Sequence, residues 1–236
     1  MSLYKSLSAK AFEVQVAIHE LLGHGTGKLL YSEGQTYNGI FGSMASAYEE
    51  CRAEAAGIYL CLCPEILTIF GHPEQDHDDI IYVNWLSMAR AGFAALEHYT
   101  NGQWRQAHCQ ADFVILQVLI EAGVVIITTD SDNYHVSLDR DLIRTVGVPA
   151  IGKLLTTLQT YKSLGDYVNA KIYFDKYSYV NEQFATYREY ILKVVSPRPM
   201  WVQPVLELQY GSQVVYKEFP STHVGLIQSH LQRYSY

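Results

Sequence analysis

Charge is scarce in this 236-residue chain, at 17% of its residues, and basic charge is scarcer: 17 Lys and Arg stand against 24 Asp and Glu. The net charge of −7 leaves no basic field to hold nucleic acid or an anionic membrane surface. Long apolar runs are missing too. The longest, FVILQVLI at residues 113–120, is far too short to cross a bilayer. The opening residues, MSLYKSLSAKAF, lack the basic start and apolar centre of a secretory signal. The few cysteines, Cys51, Cys61, Cys63 and Cys109, have no disulfide-framework spacing, so free thiols in a reducing cytosol are expected. A phosphate loop is also missing. In GHGTGKL only three residues separate Gly23 from Gly27, and Leu29 follows Lys28 where the pattern needs Ser or Thr.

What is present is an ordinary globular composition, 49% apolar, long enough for one or two domains. Apolar recurrence predicts a mainly α fold. A first helix is expected over 8–23, with Phe12, Val16 and Leu22 on its apolar side, ended by the glycines of GHGTGK. A polar connector (31–43) leads to a helix over about 44–62, closed by Pro64. FGHPEQDHDD reads as a solvated acidic loop rather than a second metal site through His72 and His77. Two apolar helical stretches follow, DIIYVNWLSMARAGFAALEHYT and QWRQAHCQADFVILQVLIEAG. VVIITTD and NYHVSLD, on either side of a short turn, form a small β-hairpin. Asp139 caps RDLIRTV, Pro149 suits a helix's first turn, and Tyr-rich helices occupy 165–178 and 181–195. SPRP at 196–199 breaks the pattern. Residues 1–196 thus read as a helical body, and 197–236 as a short β-rich tail closed by a capped helix.

HELLGH, residues 19–24, carries the first sign of chemistry. Zinc hydrolases commonly place two His four residues apart on a helix, with Glu as general base. Here the separation is five. At about 100° per residue that sets His19 and His24 roughly 140° apart, too far to share an ion. A one-residue π-type bulge absorbs the extra residue and brings both imidazoles to one face, and Gly23 eases it.

A second motif, YEECRAEAAG, sets Glu49, Glu50 and Glu54 on a helix with apolar flanks. Carboxylates there need a partner, because a buried charge is costly unless paired or bound to metal. One of them completes a His₂Glu site with its fourth position open, and the others accept from the imidazoles. The bland alternative is a solvated face with an internal pair through Arg52.

Together, HELLGH followed by EECRAE resembles the dipeptidyl peptidase III family of zinc exopeptidases, and the likeness runs on through YVNWL, WRQAH and FVIL to VQP near the C-terminus. The resemblance implies a helical zinc-metallopeptidase catalytic lobe with Zn²⁺ on His19, His24 and Glu50. It makes Glu20 the general base and gives Glu49 and Glu54 the support of the ligands. His108 of WRQAH is implied to stabilise the substrate carbonyl. Short peptides are the implied substrates, cut to release dipeptides from their N-termini. Family members are two-lobed and several times longer. This sequence begins just before HELLGH, shortens the connector between the motifs, and ends in a tail that in relatives returns to the other, N-terminal lobe. Asp112 stands where the family usually carries Arg, four residues after His108, and is expected to raise the His108 pKa. Two functions compete: a zinc dipeptidyl peptidase, or a catalytically weak zinc-binding module with a regulatory role.

Overall fold

The computed structural model describes residues 2–131, 133–195 and 201–234. The expected break at 196–199 lies outside them, as does residue 132 of the hairpin turn. The chain falls into two compact units, Met1–Lys193 and Val194–Tyr236.

The first unit is helical. Helix α1 (Ser2–Ile18) runs directly into a π-turn (His19–His24). A short helix α2 (Tyr37–Phe41) in the connector precedes α3 (Ala45–Leu60), then α4 (Pro64–Ile69) and α5 (His77–Ala94). Strands β1 (Tyr99–Thr100) and β2 (Gln103–Trp104) form a minimal hairpin before α6 (Ala107–Glu121). The hairpin of β3 (Val125–Asp130) and β4 (Asn133–Leu138) is antiparallel, with Val125 opposite Leu138. A second π-turn (Ile143–Gly147) leads into α7 (Val148–Leu164), followed by α8 (Tyr167–Ser178) and α9 (Glu182–Val194).

Helix α3 is the centre of this unit, with α1, α5, α6 and α7 packed around it. Its sequence explains the placement. Ala47, Cys51, Ala53, Ala55, Ala56 and Gly57 are all buried, so small side chains on every side let neighbouring helices approach closely. Larger groups tie the neighbours down: the Trp85 indole donates to the Ile58 carbonyl at 2.9 Å, and the Tyr48 hydroxyl donates to Leu158 at 3.0 Å.

Several local expectations are corrected. Helix α1 buries Leu7, Ala11, Val14 and Ile18, whereas Phe12 and Val16 stay 69% and 39% exposed and line a cleft. The stripe at 7, 11, 14 and 18 follows the helical period more fully, so it takes the core. The acidic loop is partly helix: Asp78 and Asp79 occupy the first turn of α5, where negative charge is favoured, and pair with Arg144 and Arg140. His72 and His77 are buried rather than solvated, and His77 Nε2 lies 2.9 Å from the His72 carbonyl. The apolar stretch before α6 is not continuous helix. Asn101 and Gly102, both at positive φ, turn the chain between β1 and β2.

The second unit is small. Strands β5 (Val205–Gln209) and β6 (Gln213–Lys217) pair antiparallel, and α10 (His223–Tyr234) packs on β5. Val205, Gly225 and Ser229 are buried within it, whereas Leu206, Leu208, Val214 and Ile227 are exposed.

Candidate active site

The π-turn resolves the spacing of HELLGH. It takes in the extra residue between the two His, and the rings of His19 and His24 stand edge to face at 4.7 Å. Gly23 serves this turn in another way than expected. Its backbone is ordinary for a helix, but a Cβ there would stand 2.8 Å from Ala53, so the missing side chain lets the turn lie directly on α3. Arg52, 2% exposed, fixes the turn from below. Its guanidinium donates to the Gly23 carbonyl, to Glu49 at 2.7 and 3.1 Å, and to Gln159 at 3.2 Å. The internal Glu49–Arg52 pair of the alternative reading of EECRAE is present, but the face is not solvated, because Arg52 is buried.

Above this base one carboxylate oxygen collects three imidazoles. Glu50 Oε2 lies 3.2 Å from His19 Nε2, 3.4 Å from His24 Nε2 and 3.4 Å from His108 Nδ1. It is buried and accepts no hydrogen bond. Two donors held by one tetrahedral zinc ion stand about 3.3 Å apart, from the usual bond lengths. The donor types and spacings thus fit a zinc ion. The set whose ligating atoms all lie within 4.8 Å of one another among the described residues is His19, Glu50 and His108. That is not the expected trio, although His24 also reaches Glu50.

The remaining carboxylates stand behind the imidazoles. Glu49 meets His24 Nδ1 at 3.2 Å and Lys162 Nζ at 2.5 Å. Glu54 lies 3.3 Å from His19 Nδ1 and 3.6 Å from His108 Nδ1, although His19 Nδ1 is not aligned for a hydrogen bond. Burial opposes the ionisation of Glu49, but Arg52 and Lys162 outweigh it and hold the carboxyl below the usual range. Burial likewise opposes Glu50 and Glu54, and the imidazoles, with Gln15 helping at Glu54, win again. Glu50 is lowered, and Glu54 is lowered to about 2. In His19 burial disfavours the proton, yet Glu50 and Glu54 raise its pKa to about 10. The site is a concentration of negative charge facing imidazole, shaped to take a cation.

His108 sits in the first turn of α6, where the Gln106 side chain accepts from the Cys109 amide. Its pKa is raised by Glu54 first, against burial, with Glu50 adding to the effect. Asp112 is not the partner expected for it. Burial and the Glu54 charge push the Asp112 carboxyl well above the carboxylate range, against a smaller opposing pull from His108 and His19. Glu20 is exposed and lines a cleft of about 640 Å³ with His19, Glu54, His108, Asp112 and the apolar Phe12, Val16 and Met88. The cleft therefore brings Glu20 and His108 to the same space beside the cation site. Sequence reasoning missed Gln15, Lys162 and Gln159 here; lone polar residues in apolar helices gave no motif to find them by.

The sequence profile of peptidase family M49 matches residues 1–33 and 30–234, two stretches that overlap at the start of the connector. Dipeptidyl peptidase 3 of Nematostella vectensis is 44% identical over 268 aligned positions, covering 98% of this chain and 37% of that protein. The human dipeptidyl peptidase 3 is 42% identical, with 98% and 37% covered. The chain thus spans little more than a third of the length of these curated relatives. The solved structures of DPP III from Caldithrix abyssi and of dipeptidyl-peptidase III from Corallococcus sp. strain EGB share the fold. Their TM-scores are 0.57 and 0.60 at 22% and 21% identity, over 77% and 82% of this chain and 32% and 34% of theirs. With motif, fold and relatives in agreement, the chain belongs to peptidase family M49.

Proposed function

We propose that this chain is the zinc-binding catalytic portion of a dipeptidyl peptidase that releases dipeptides from the N-termini of short peptides. The observation that carries the reading is the buried Glu50 Oε2, which accepts no hydrogen bond and is ringed by three imidazole nitrogens at 3.2–3.4 Å. His19, His24 and Glu50 hold the metal, with Glu49 and Glu54 orienting the imidazoles from behind. A bound zinc ion supplies a Lewis acid that lowers the pKa of water and polarises a carbonyl. Glu20, in the cleft, takes the proton of the attacking water and returns it to the leaving amine. His108, drawn towards its charged form by Glu54, donates to the oxygen of the scissile carbonyl as negative charge develops there. The apolar wall of Phe12, Val16 and Met88 accommodates a peptide side chain. The thiols of Cys51, Cys61 and Cys63 suit work in the cytosol, and no described helix is long and apolar enough to cross a membrane.

The test is release of N-terminal dipeptides from short peptides, followed by mass spectrometry with and without the upstream lobe that relatives carry. The reading expects dipeptide products that vanish in Glu20→Ala. A zinc-loaded protein that leaves every peptide intact in both forms is instead the non-catalytic zinc module.

A further inference from the structure

We infer that Gln15 is a positioning residue for the metal site, holding Glu54 against His19 and His108 through a buried chain of hydrogen bonds across three helices. The inference rests on the zinc-site reading above and adds a residue that no motif contains. Gln15 and His19 are four apart on α1 and its π-turn, and both face Glu54 of α3. The Gln15 carboxamide donates to Glu54 Oε2 at 2.7 Å and to the Glu54 carbonyl at 3.1 Å. Its oxygen accepts from Asn84 of α5 at 3.1 Å. Gln15 and Asn84 are 6% and 3% exposed, so each amide finds its partners mainly within the protein. Their orientations are therefore fixed by one another: nitrogen towards Glu54, oxygen towards Asn84.

This grip leaves the other Glu54 oxygen, Oε1, for the two imidazoles at 3.3 and 3.6 Å. Without the bond at Oε2 the carboxylate is free to rotate, and both imidazoles lose the negative charge held against them. Gly57, one turn along α3, completes the device. The first atoms a Cβ there would meet all belong to the Gln15 carboxamide, so the glycine is the seat in which the amide rests. Close approach, not backbone freedom, requires it.

Two variants break the grip by different means. Gln15→Glu keeps size but turns the donor into an oxygen facing Glu54. Gly57→Ala changes no polar group and favours the helix, yet pushes the carboxamide out of its seat. Zinc titration of the full chain should show each variant binding about tenfold more weakly, the scale of lost support behind a ligand. Pairing Gln15→Glu with Glu54→Gln reverses donor and acceptor and should recover part of the loss, which a merely structural role would not give. Imidazole ¹⁵N spectra of the metal-free chain should show the His19 resonances displaced in both single variants. Wild-type zinc affinity together with unmoved His19 resonances in Gly57→Ala would overturn the proposal. A wild-type chain that takes no zinc would sink the zinc reading instead, and the His19 resonances would still decide the role of Gln15.

Discussion

Glu50 shows how much one atom can organise. Its Oε2 is buried, accepts no hydrogen bond, and faces three imidazoles, an arrangement that costs free energy unless a cation neutralises it. The protein by itself answers with a proton, since Glu50 and Glu54 overcome burial and raise the His19 pKa to about 10. A metal takes only the neutral imidazole, so binding at neutral pH must expel that proton. The sign follows. Zinc affinity should rise with pH, by about tenfold per unit for one displaced proton, until the His19 pKa is reached. Calorimetry in buffers of different ionisation heat should show about one proton released per zinc at pH 7. No buffer dependence would mean that His19 is already neutral or is not a ligand. His108 and Asp112 teach the reverse lesson. Their four-residue spacing makes them neighbours on one helix, but it says nothing of burial. Glu54, from another helix, has taken the role assigned to Asp112.

At the scale of elements, the site depends on a π-turn laid on a helix of small residues. The turn was legible because two His five residues apart can share a cation only if the helix gains a residue there. Its support was not. Arg52 looked like one half of a surface ion pair, yet it is buried under the turn and holds both the Gly23 carbonyl and Glu49. Arg52→Met leaves that carbonyl only its local donors, among them Thr26, and leaves Glu49 without the buried guanidinium, facing Lys162 and His24. It should cost about 3 kcal/mol or more, the usual penalty for breaking a buried pair. A thermal melt should fall by about 6 °C or more, at 2–4 °C per kcal/mol for a chain of this size. An unchanged melt would show that the turn stands without Arg52. The Asn101–Gly102 hairpin was missed for a different reason. Apolar residues on both sides of it continue a helical pattern, and periodicity outweighed a two-residue turn signal that was present in the sequence. The core stripe of α1 was misassigned likewise, since Phe12 and Val16 are apolar for the cleft's sake rather than the core's.

At the scale of the whole molecule, the chain divides into a large helical unit that carries the site and a small unit that buries little of its own. Deleting 195–236 should shift the melting temperature of the helical unit by less than about 3 °C, equivalent to about 1 kcal/mol. The exposed Leu206, Leu208, Val214 and Ile227 should promote self-association of the full chain, and light scattering should fall on truncation. A large loss of stability would show that the helical unit depends on the tail. Above all, His19, His24 and Glu50 are proposed to bind zinc while Glu20 and His108 act on the substrate. Metal analysis of purified wild-type chain and single alanine variants tests this most directly. About one zinc per molecule is expected in wild type, Glu20→Ala and His108→Ala, with severe loss in Glu50→Ala and His24→Ala. Equal loss in Glu20→Ala and Glu50→Ala, or zinc kept without His24 and lost without His108, would contradict it.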